Sequence, residues 1–221
     1  VYGSSVLTAI TAQNTVGVTA VHEVPVDMVA AQIEAVMSDI GADAVKTGML
    51  SSSEIIETVA GELTHFRADR VVVDPVMVST GGDRLVQDDV LGRLKAELFP
   101  LATVVTPNLQ EAESLVGREI TGKQDLQEAA REIFELGSRA VIVKGGHLEG
   151  DAVDVLLHEG TFHELHAERS AKRGRQQADH ESETEGAHGP TVRRPAAVRN
   201  AWAPQTTGPW RSEGREQRIV R

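Results

Sequence analysis

The chain has 221 residues, of which 40% are hydrophobic, and its 33 Asp and Glu outnumber 22 Lys and Arg, giving a formal net charge of −11 at pH 7. This length suits one ordinary domain, and the acidic balance argues against nucleic acid as the main partner. The absence of cysteine excludes disulfides, zinc thiolate sites and a thiol nucleophile. Because the sequence shows no secretory signal and no apolar run of membrane-spanning length, we expect a soluble cytoplasmic protein without a membrane partner.

The composition changes abruptly after His166. The segment from 167 to 221 holds 11 of the Lys and Arg and 7 of the Asp and Glu, so it carries a net charge of +4 against −15 for the preceding part. Its aliphatic residues larger than Ala are Val192, Val198, Ile219 and Val220, too few to build a core. We therefore expect one domain over 1–168 and a disordered, Arg/Pro/Gly-rich tail over 169–221. A tail translated from a shifted reading frame is a second interpretation of the same break.

The N-terminal part of the chain predicts two strands. Val6, Leu7 and Ile10 belong to an apolar run that indicates a buried strand ending near Gln13. The Gln13 amide can offer a donor and an acceptor to a ring, or it can satisfy a loop backbone, and the local sequence favours neither. Val16–Val24 has the pattern of a short edge strand.

A helix, a strand and a second helix come next. Asp27 is expected to cap the first helix, whose apolar residues are spaced by four, three and four positions. These residues are Val29, Ile33, Val36 and Ile40. Ala44–Leu50 predicts a strand with Met49 near its carboxyl end, and Ser52 or Ser53 is expected to cap the helix that follows.

The segment Val71–Met77 is the most strand-like part of the chain. Its nearly continuous apolar run is typical of a parallel-sheet strand buried on both faces. Asp74 falls at the carboxyl end of this run, where a carboxylate either forms a turn before Pro75 or belongs to a cation site. A helix is then predicted from Asp88 to the proline at position 100.

The segment Thr103–Glu111 contains the strongest combination of signals. A short apolar run stops before Pro107, and a helical pattern starts at once. Asn108 and Glu111 lie three residues apart, so they project on the same side of a first helical turn. Their oxygens suit a hydrated magnesium ion at the open end of a parallel sheet. The alternative is a capping box, which is the commoner use of such a pair.

A lysine and two glycines follow the last predicted parallel strand. After an amphipathic helix over Gln124–Leu136, the strand Ala140–Lys144 runs directly into Gly145 and Gly146. This arrangement places a cation beside backbone that a phosphate can approach closely. A snorkelling lysine before a tight turn is the alternative. The pattern of the sequence between Gly146 and His166 predicts a hairpin with its turn at Glu159-Gly160.

Predicted strands alternate with predicted helices over most of residues 1–168, which is typical of an α/β protein with a mostly parallel sheet. Polar side chains follow several of these strands, at Gln13, Asp74, Asn108, Glu111 and Lys144. A parallel sheet would bring such strand ends to one edge. A ring-binding part beside a phosphate and magnesium part is the layout of a small-molecule kinase, in which positioning and charge neutralisation carry the chemistry.

The sequence also resembles a known family. The segments TAQNT, KTGML, VVDPVM, TPNLQEAE and VKGGH occur in the order and at the distances found in hydroxymethylpyrimidine/phosphomethylpyrimidine kinases of thiamine biosynthesis. The resemblance extends from Val1 to about Glu168. It implies the fold of the ribokinase-like superfamily, a three-layer α/β/α arrangement.

The resemblance implies an activity and a set of site residues. The activity is transfer of the ATP γ-phosphate to the hydroxymethyl group of an aminopyrimidine and then to the resulting monophosphate. Lys144 would stabilise phosphate charge, and Lys144, Gly145 and Asn108 would bind the nucleotide. The residues implied for the pyrimidine are Gln13, Met49 and Val76, and those implied for Mg²⁺ are Asp74, Asn108 and Glu111.

Two parts of the family pattern are not found in this sequence. They are an N-terminal glycine-rich segment containing an acid, and a later Gly-Thr-Gly-Cys turn that in the family supplies an anion hole and the base. We therefore expect a kinase domain truncated at both ends, which leaves open a non-catalytic remnant or a nucleotide- or pyrimidine-binding module. A pyridoxal kinase-like enzyme is the further alternative, and a homodimer is left open.

Overall fold

The computed structural model describes residues 2–14, 17–77, 89–145, 152–167 and 218–220. The helices are α1 (Val26–Ala35), α2 (Ser53–His65), α3 (Val90–Arg93), α4 (Leu109–Val116) and α5 (Lys123–Phe134). The strands are β1 (Tyr2–Ser4), β2 (Ala9–Gln13), β3 (Val18–Glu23), β4 (Ala44–Thr47), β5 (Val71–Val73), β6 (Val104–Val105), β7 (Ala140–Val143), β8 (Ala152–His158), β9 (Thr161–Ala167) and β10 (Arg218–Val220).

Eight of these strands form one sheet, in the order β1-β10-β4-β5-β6-β7-β8-β9. The pairs from β1 to β7 are parallel, and β8 and β9 continue the sheet as the predicted antiparallel hairpin. Strands β2 and β3 form a separate antiparallel pair. The α/β class with a mostly parallel central sheet is confirmed.

The two faces of the sheet are built differently. Alternate residues of a strand point to opposite faces, so Val71 and Val73 share one face and Val72 lies on the other. The larger hydrophobic cluster lies on the first face and takes side chains from all five helices. In the described part of the chain, the cluster on the second face is made of strand residues, with Val104 and Ala140 among its buried members.

Two helices depart from simple α-helical geometry. Helix α1 continues as a π-helical turn over Val36–Ile40, and α3 continues through Leu94–Leu98 into a 3₁₀ turn that contains Pro100. The expected capping role of Asp27 is wrong, because Pro25 occupies the N-cap of α1 and Asp27 lies in its first turn. The Asp27 carboxylate accepts a hydrogen bond from the N–H of Met28 instead.

The expectation that the first apolar run is buried is wrong for Leu7 and Ile10, although Val6 is partly buried and packs against the main core. Leu7 and Ile10 are 55% and 58% exposed, because β2 pairs with β3 in a small sheet outside the main core. Gln13 lies at the end of β2 and is exposed as well. The apolar composition of so short a run does not show whether its strand joins the main sheet or a separate pair.

Several expectations fall on residues outside the described ranges, including the helix start at Asp88 and the second glycine, Gly146. The same holds for most of the expected disordered tail. Within that tail, however, residues Arg218–Val220 form β10, between β1 and β4. Among the described helices, none has the length and apolar character needed to cross a bilayer.

Candidate active site

The structure places Lys144 beside Asn108. The N–H of Lys144 donates to the carbonyl oxygen of Pro107 at 2.9 Å, and Lys144 and Asn108 form an isolated parallel bridge at the end of β6 and β7. The expected meeting of the amide–acid pair and the lysine at one edge of the sheet is therefore observed. It results from the parallel register of two adjacent strands, which brings their carboxyl ends together.

Asp74 follows β5 and contacts residues in or after three other strands at this edge. Its Oδ1 accepts hydrogen bonds from Lys144 Nζ at 3.1 Å and from Thr106 Oγ1 at 3.3 Å. Its Oδ2 accepts a hydrogen bond from Lys46 Nζ at 2.9 Å. Lys46 lies in β4 opposite Val72 of β5, on the same face as Asp74 two residues later.

Lys46 and Thr106 are site residues that the sequence reasoning did not select. Lys46 interrupts an apolar strand, and the strand that follows ends in Asp74. A lysine and an acid at neighbouring strand ends could have suggested the ion pair. Thr106 carried no comparable signal, because a hydroxyl at a strand end is commonplace.

The lysines determine the protonation behaviour of Asp74. Partial burial alone raises the pKa of Asp74, but the hydrogen bond from Lys46 and the charges of Lys144 and Lys46 outweigh this effect and hold the pKa below its usual value. A carboxylate in such surroundings stays ionised. Asp74 is thus a fixed negative charge between two ammonium groups.

Asn108 and Glu111 form the predicted capping box at the start of α4. Asn108 Oδ1 accepts a hydrogen bond from the Glu111 N–H at 2.9 Å, and Glu111 Oε2 accepts one from the Asn108 N–H at 2.7 Å. This exchange satisfies two otherwise free N–H groups of the helix start and fixes both side chains. The second carboxylate oxygen of Glu111 takes no part in this exchange.

Glu111 is an acid buried at a charged site. Glu111 is only 6% exposed, and this burial raises its pKa. The hydrogen bond from the Asn108 N–H and the charge of Lys144 oppose the increase without cancelling it. The raised pKa means that ionisation of Glu111 costs the folded state free energy. A bound cation would recover this cost by stabilising the charged form.

We predict that Glu111→Gln preserves or increases stability at pH 7, whereas Glu111→Ala lowers it by about 1 kcal/mol through loss of the hydrogen bond that the Asn108 N–H donates to the side chain. Glutamine retains the capping geometry but carries no charge. Because the folded-state pKa of Glu111 is raised, its stabilising contribution is complete below the unfolded pKa of about 4.3 and is lost as the pH rises through the folded pKa. The advantage of glutamine should therefore grow from pH 4 to pH 7, as measured by urea unfolding. Equal losses for both variants at pH 7 would contradict this account.

Close packing after β7 requires a glycine at position 145. A Cβ at this position would lie 2.2 Å from the carbonyl oxygen of Val153 and 2.9 Å from Leu126 Cδ1. The Gly145 N–H donates to Asp154 Oδ1 at 3.0 Å, so it already has a partner. The structure thus gives this glycine a packing role, and its contact with a nucleotide stays a prediction.

The expected pyrimidine-binding residues lie at different places. Met49 is half-buried after β4, and its carbonyl oxygen accepts a hydrogen bond from Thr8 Oγ1 at 2.9 Å, which joins the β2–β3 pair to the main sheet. Val76 is half-buried two residues after Asp74, to whose carbonyl oxygen its N–H donates. Gln13 is exposed at the far end of β2. The pyrimidine roles of all three stay predictions.

The donor set of the site suits a magnesium ion in part. Asn108 and Glu111 offer side-chain oxygens, which Mg²⁺ prefers as ligands, and the second carboxylate oxygen of buried Glu111 accepts no hydrogen bond from the residues that the structure describes. Asp74 fits less well, because both of its oxygens contact lysine ammonium groups. The described residues contain no group of three or more His, Cys, Asp or Glu that could hold a metal. The amide–acid pair with water ligands would therefore be the principal site.

The chain is similar to proteins of known family. The family described as phosphomethylpyrimidine kinase matches residues 1–176. A hydroxymethylpyrimidine/phosphomethylpyrimidine kinase of Rhizobium meliloti is 51% identical over 161 residues, which cover 72% of this chain and 60% of that kinase. The chain spans between 33% and 62% of the length of the first curated relatives that it matches.

Solved structures show the same fold. A phosphomethylpyrimidine kinase from Clostridium difficile has a TM-score of 0.68 and 45% identity, with 74% of this chain and 71% of that chain covered. A Bacillus subtilis pyridoxal kinase in complex with ADP has a TM-score of 0.71 and 38% identity, with 78% and 67% covered. The matching profile, the relatives and the shared ribokinase-like fold agree, and the chain belongs to the phosphomethylpyrimidine kinase family.

Proposed function

We propose that this chain contributes the catalytic core of an ATP-dependent kinase that phosphorylates 4-amino-5-hydroxymethyl-2-methylpyrimidine and then its monophosphate, in the biosynthesis of thiamine diphosphate. The observation that carries the proposal is the convergence of Lys144, Asp74 and the Asn108–Glu111 pair at the carboxyl ends of β5, β6 and β7. Membership of the phosphomethylpyrimidine kinase family supports the proposed substrate class.

Phosphoryl transfer requires the protein to position the reactants and to stabilise charge, without forming a covalent bond to them. The hydroxymethyl oxygen forms a bond to the γ-phosphorus, the bond from that phosphorus to the bridging oxygen of ADP breaks, and the hydroxyl proton is released. Charge on the transferred group must be neutralised and its geometry held. Lys144 would supply a fixed positive charge to the phosphates, and a Mg²⁺ ion bound near Asn108 and Glu111 would add further neutralisation. The proposed nucleotide-binding set is Lys144, Gly145 and Asn108.

The pyrimidine would lie toward β4 and the β2–β3 pair. Met49 and Val76 offer half-buried apolar surface there, and Gln13 offers an amide that can pair with ring nitrogens. We further propose Asp74 as an indirect metal contact that acts through ordered water. A cytoplasmic location and a homodimeric assembly are also proposals.

The direct test is a phosphorylation assay with purified chain, ATP and Mg²⁺, using the pyrimidine alcohol and pyridoxal in parallel. Turnover of the pyrimidine and not of pyridoxal supports the proposal. Selective turnover of pyridoxal favours the second candidate, which the similarity to the B. subtilis pyridoxal kinase motivates.

A third outcome identifies a binding module. In that case Mg-ATP raises the melting temperature, as a ligand that binds only the folded state must, but no phosphorylated product forms. A Gln13→Ala variant refines the substrate assignment. Its pyrimidine affinity should fall with little change in ATP affinity, and calorimetric titration can refute this expectation.

A further inference from the structure

Lys46 contacts the site but has no role in the proposed chemistry. Its ammonium group lies 2.9 Å from Asp74 Oδ2, and that of Lys144 lies 3.1 Å from Asp74 Oδ1. The side chains of Lys46 and Lys144 are 41% and 39% exposed, whereas that of Asp74 is 20% exposed. One half-buried carboxylate is therefore shared by two lysines that both reach solvent.

The two lysines differ in what lies near them. Lys144 follows β7 and bridges to Asn108, and its charge lowers the pKa of Glu111 more than the charge of Lys46 does. Lys46 lies within β4, on the side of Asp74 away from the amide–acid pair. Backbone pairing fixes Lys46 relative to Asp74, since the Asp74 N–H donates to the carbonyl oxygen of Thr47 at 3.3 Å.

Because Lys46 also contacts Asp74, Lys144 is held less strongly by that carboxylate and can interact with another anion. Two ammonium groups share one carboxylate, so one positive charge of this cluster is not neutralised by Asp74 and can offset the charge of Glu111 or of an incoming anion. Without Lys46, Asp74 and Lys144 would form a neutral pair in surroundings where opposite charges attract more strongly than in water. An anion would then have to compete with Asp74 for the Lys144 ammonium.

We propose that Lys46 is a positioning residue, which occupies one oxygen of Asp74 so that the Lys144 ammonium can turn from Asp74 to a phosphate anion. Lys46 acts through Asp74 and does not itself contact the anion. The identity of that anion as an ATP phosphate rests on the proposed function.

The test is a double-mutant cycle on nucleotide affinity. ATP binding is measured by calorimetry on the full chain in EDTA, so that any metal held by Asp74 does not contribute. The variants are Lys46→Met, Lys46→Arg, Asp74→Asn and the Lys46→Met/Asp74→Asn double variant. Lys123→Met is the matched control, because Lys123 also forms an ion pair, with Glu164, but lies outside the site.

Lys46→Met should raise the Kd for ATP about tenfold, the effect expected for loss of one charge-assisted hydrogen bond. Lys46→Arg should restore the affinity to within about threefold of the wild type, because a guanidinium can still occupy the carboxylate. In the Asp74→Asn background, Lys46→Met should add less than about a twofold effect, because the competing carboxylate is gone. Lys123→Met should bind ATP as the wild type does.

An equal loss on Lys46→Met in both backgrounds would overturn the positioning role, because Lys46 would then act on the phosphate without Asp74. Lys46→Gln replaces the methionine variant if that variant does not fold. In the kinase assay, Lys46→Met should raise the KM for ATP about tenfold and change kcat less than about threefold.

The two proposals fail in different ways. If the wild type phosphorylates the pyrimidine and Lys46→Met has wild-type ATP affinity and KM, the positioning role is wrong and the kinase assignment stands. If the wild type gives no product but the affinities follow the cycle described above, the positioning role stands and the kinase assignment is wrong. If no variant, including the wild type, binds ATP, both are overturned.

Discussion

Replacing Lys144 by alanine is expected to lower the rate of phosphoryl transfer by about a hundredfold, the effect typical of removing one group that stabilises developing charge. Lys144 bridges to Asn108, its charge acts on Glu111 more strongly than that of Lys46, and its ammonium is available to a phosphate once it leaves Asp74. Pyrimidine binding should change less than about twofold, since the proposed pyrimidine contacts are Gln13, Met49 and Val76 and do not include Lys144. Single-turnover kinetics and pyrimidine titration of the same variant measure the two effects separately.

The fold should tolerate this change, because Asp74 keeps its contacts with Lys46 and Thr106. Lys123→Ala provides the control, as it removes the same charge from an exposed position on α5. Equal losses of rate and of pyrimidine affinity in Lys144→Ala would contradict the phosphate role. A hundredfold loss in Lys123→Ala would show that overall charge rather than position determines the rate.

Replacing Gly145 by alanine is expected to destabilise the protein by about 3 kcal/mol or more, at the upper end of the range for overpacked interiors. The new methyl group would meet the backbone oxygen of Val153 at 2.2 Å, a contact that no side-chain rotation can relieve. Relief requires β7 and β8 to separate, which stretches the hydrogen bond from the Gly145 N–H to Asp154. Chemical denaturation should show a clear decrease in the unfolding midpoint.

Gly61→Ala is the matched control for this variant. Gly61 lies in α2 with no atom within 4 Å of the position of an added Cβ, so alanine should fit there and stabilise the helix by about 0.5–1 kcal/mol. The two glycine-to-alanine changes should therefore have opposite signs. A wild-type unfolding midpoint for Gly145→Ala would show that the chain after β7 rearranges without cost.

Much of the architecture could be predicted because local patterns and tertiary packing agree. The valine-rich run at β5 is buried between two parallel neighbours, as its continuous apolar pattern indicated. The turn at Glu159 and Gly160 joins two antiparallel strands, and both residues adopt positive φ, which suits a tight hairpin. The adjacency of Asn108 and Lys144 followed from placing both at the ends of parallel strands.

The remaining features depend on partners that are distant in the sequence. Lys46 gains its place in the site only because β4 pairs with β5 in a register that brings it next to Asp74. The exposure of Ile10 follows from the pairing of β2 with β3 away from the main sheet, which no local pattern reveals. For Gly145 the pattern indicated a close approach, but the group that approaches is the backbone of β8.

The position of β10 has a consequence for how the chain reaches its native state. Tyr2 pairs with Arg218, and Gly3 with Ile219, so β1 joins the large sheet through residues that are very distant in the sequence. Folding slows as the mean sequence separation of native contacts grows, because the intervening chain must close first. On the ribosome, β4 to β7 can pair as they emerge, whereas β1 must wait for residue 220 to leave the exit tunnel before its neighbour exists. Strand β1 is thus synthesised before the other described strands and is among the last of them to be secured.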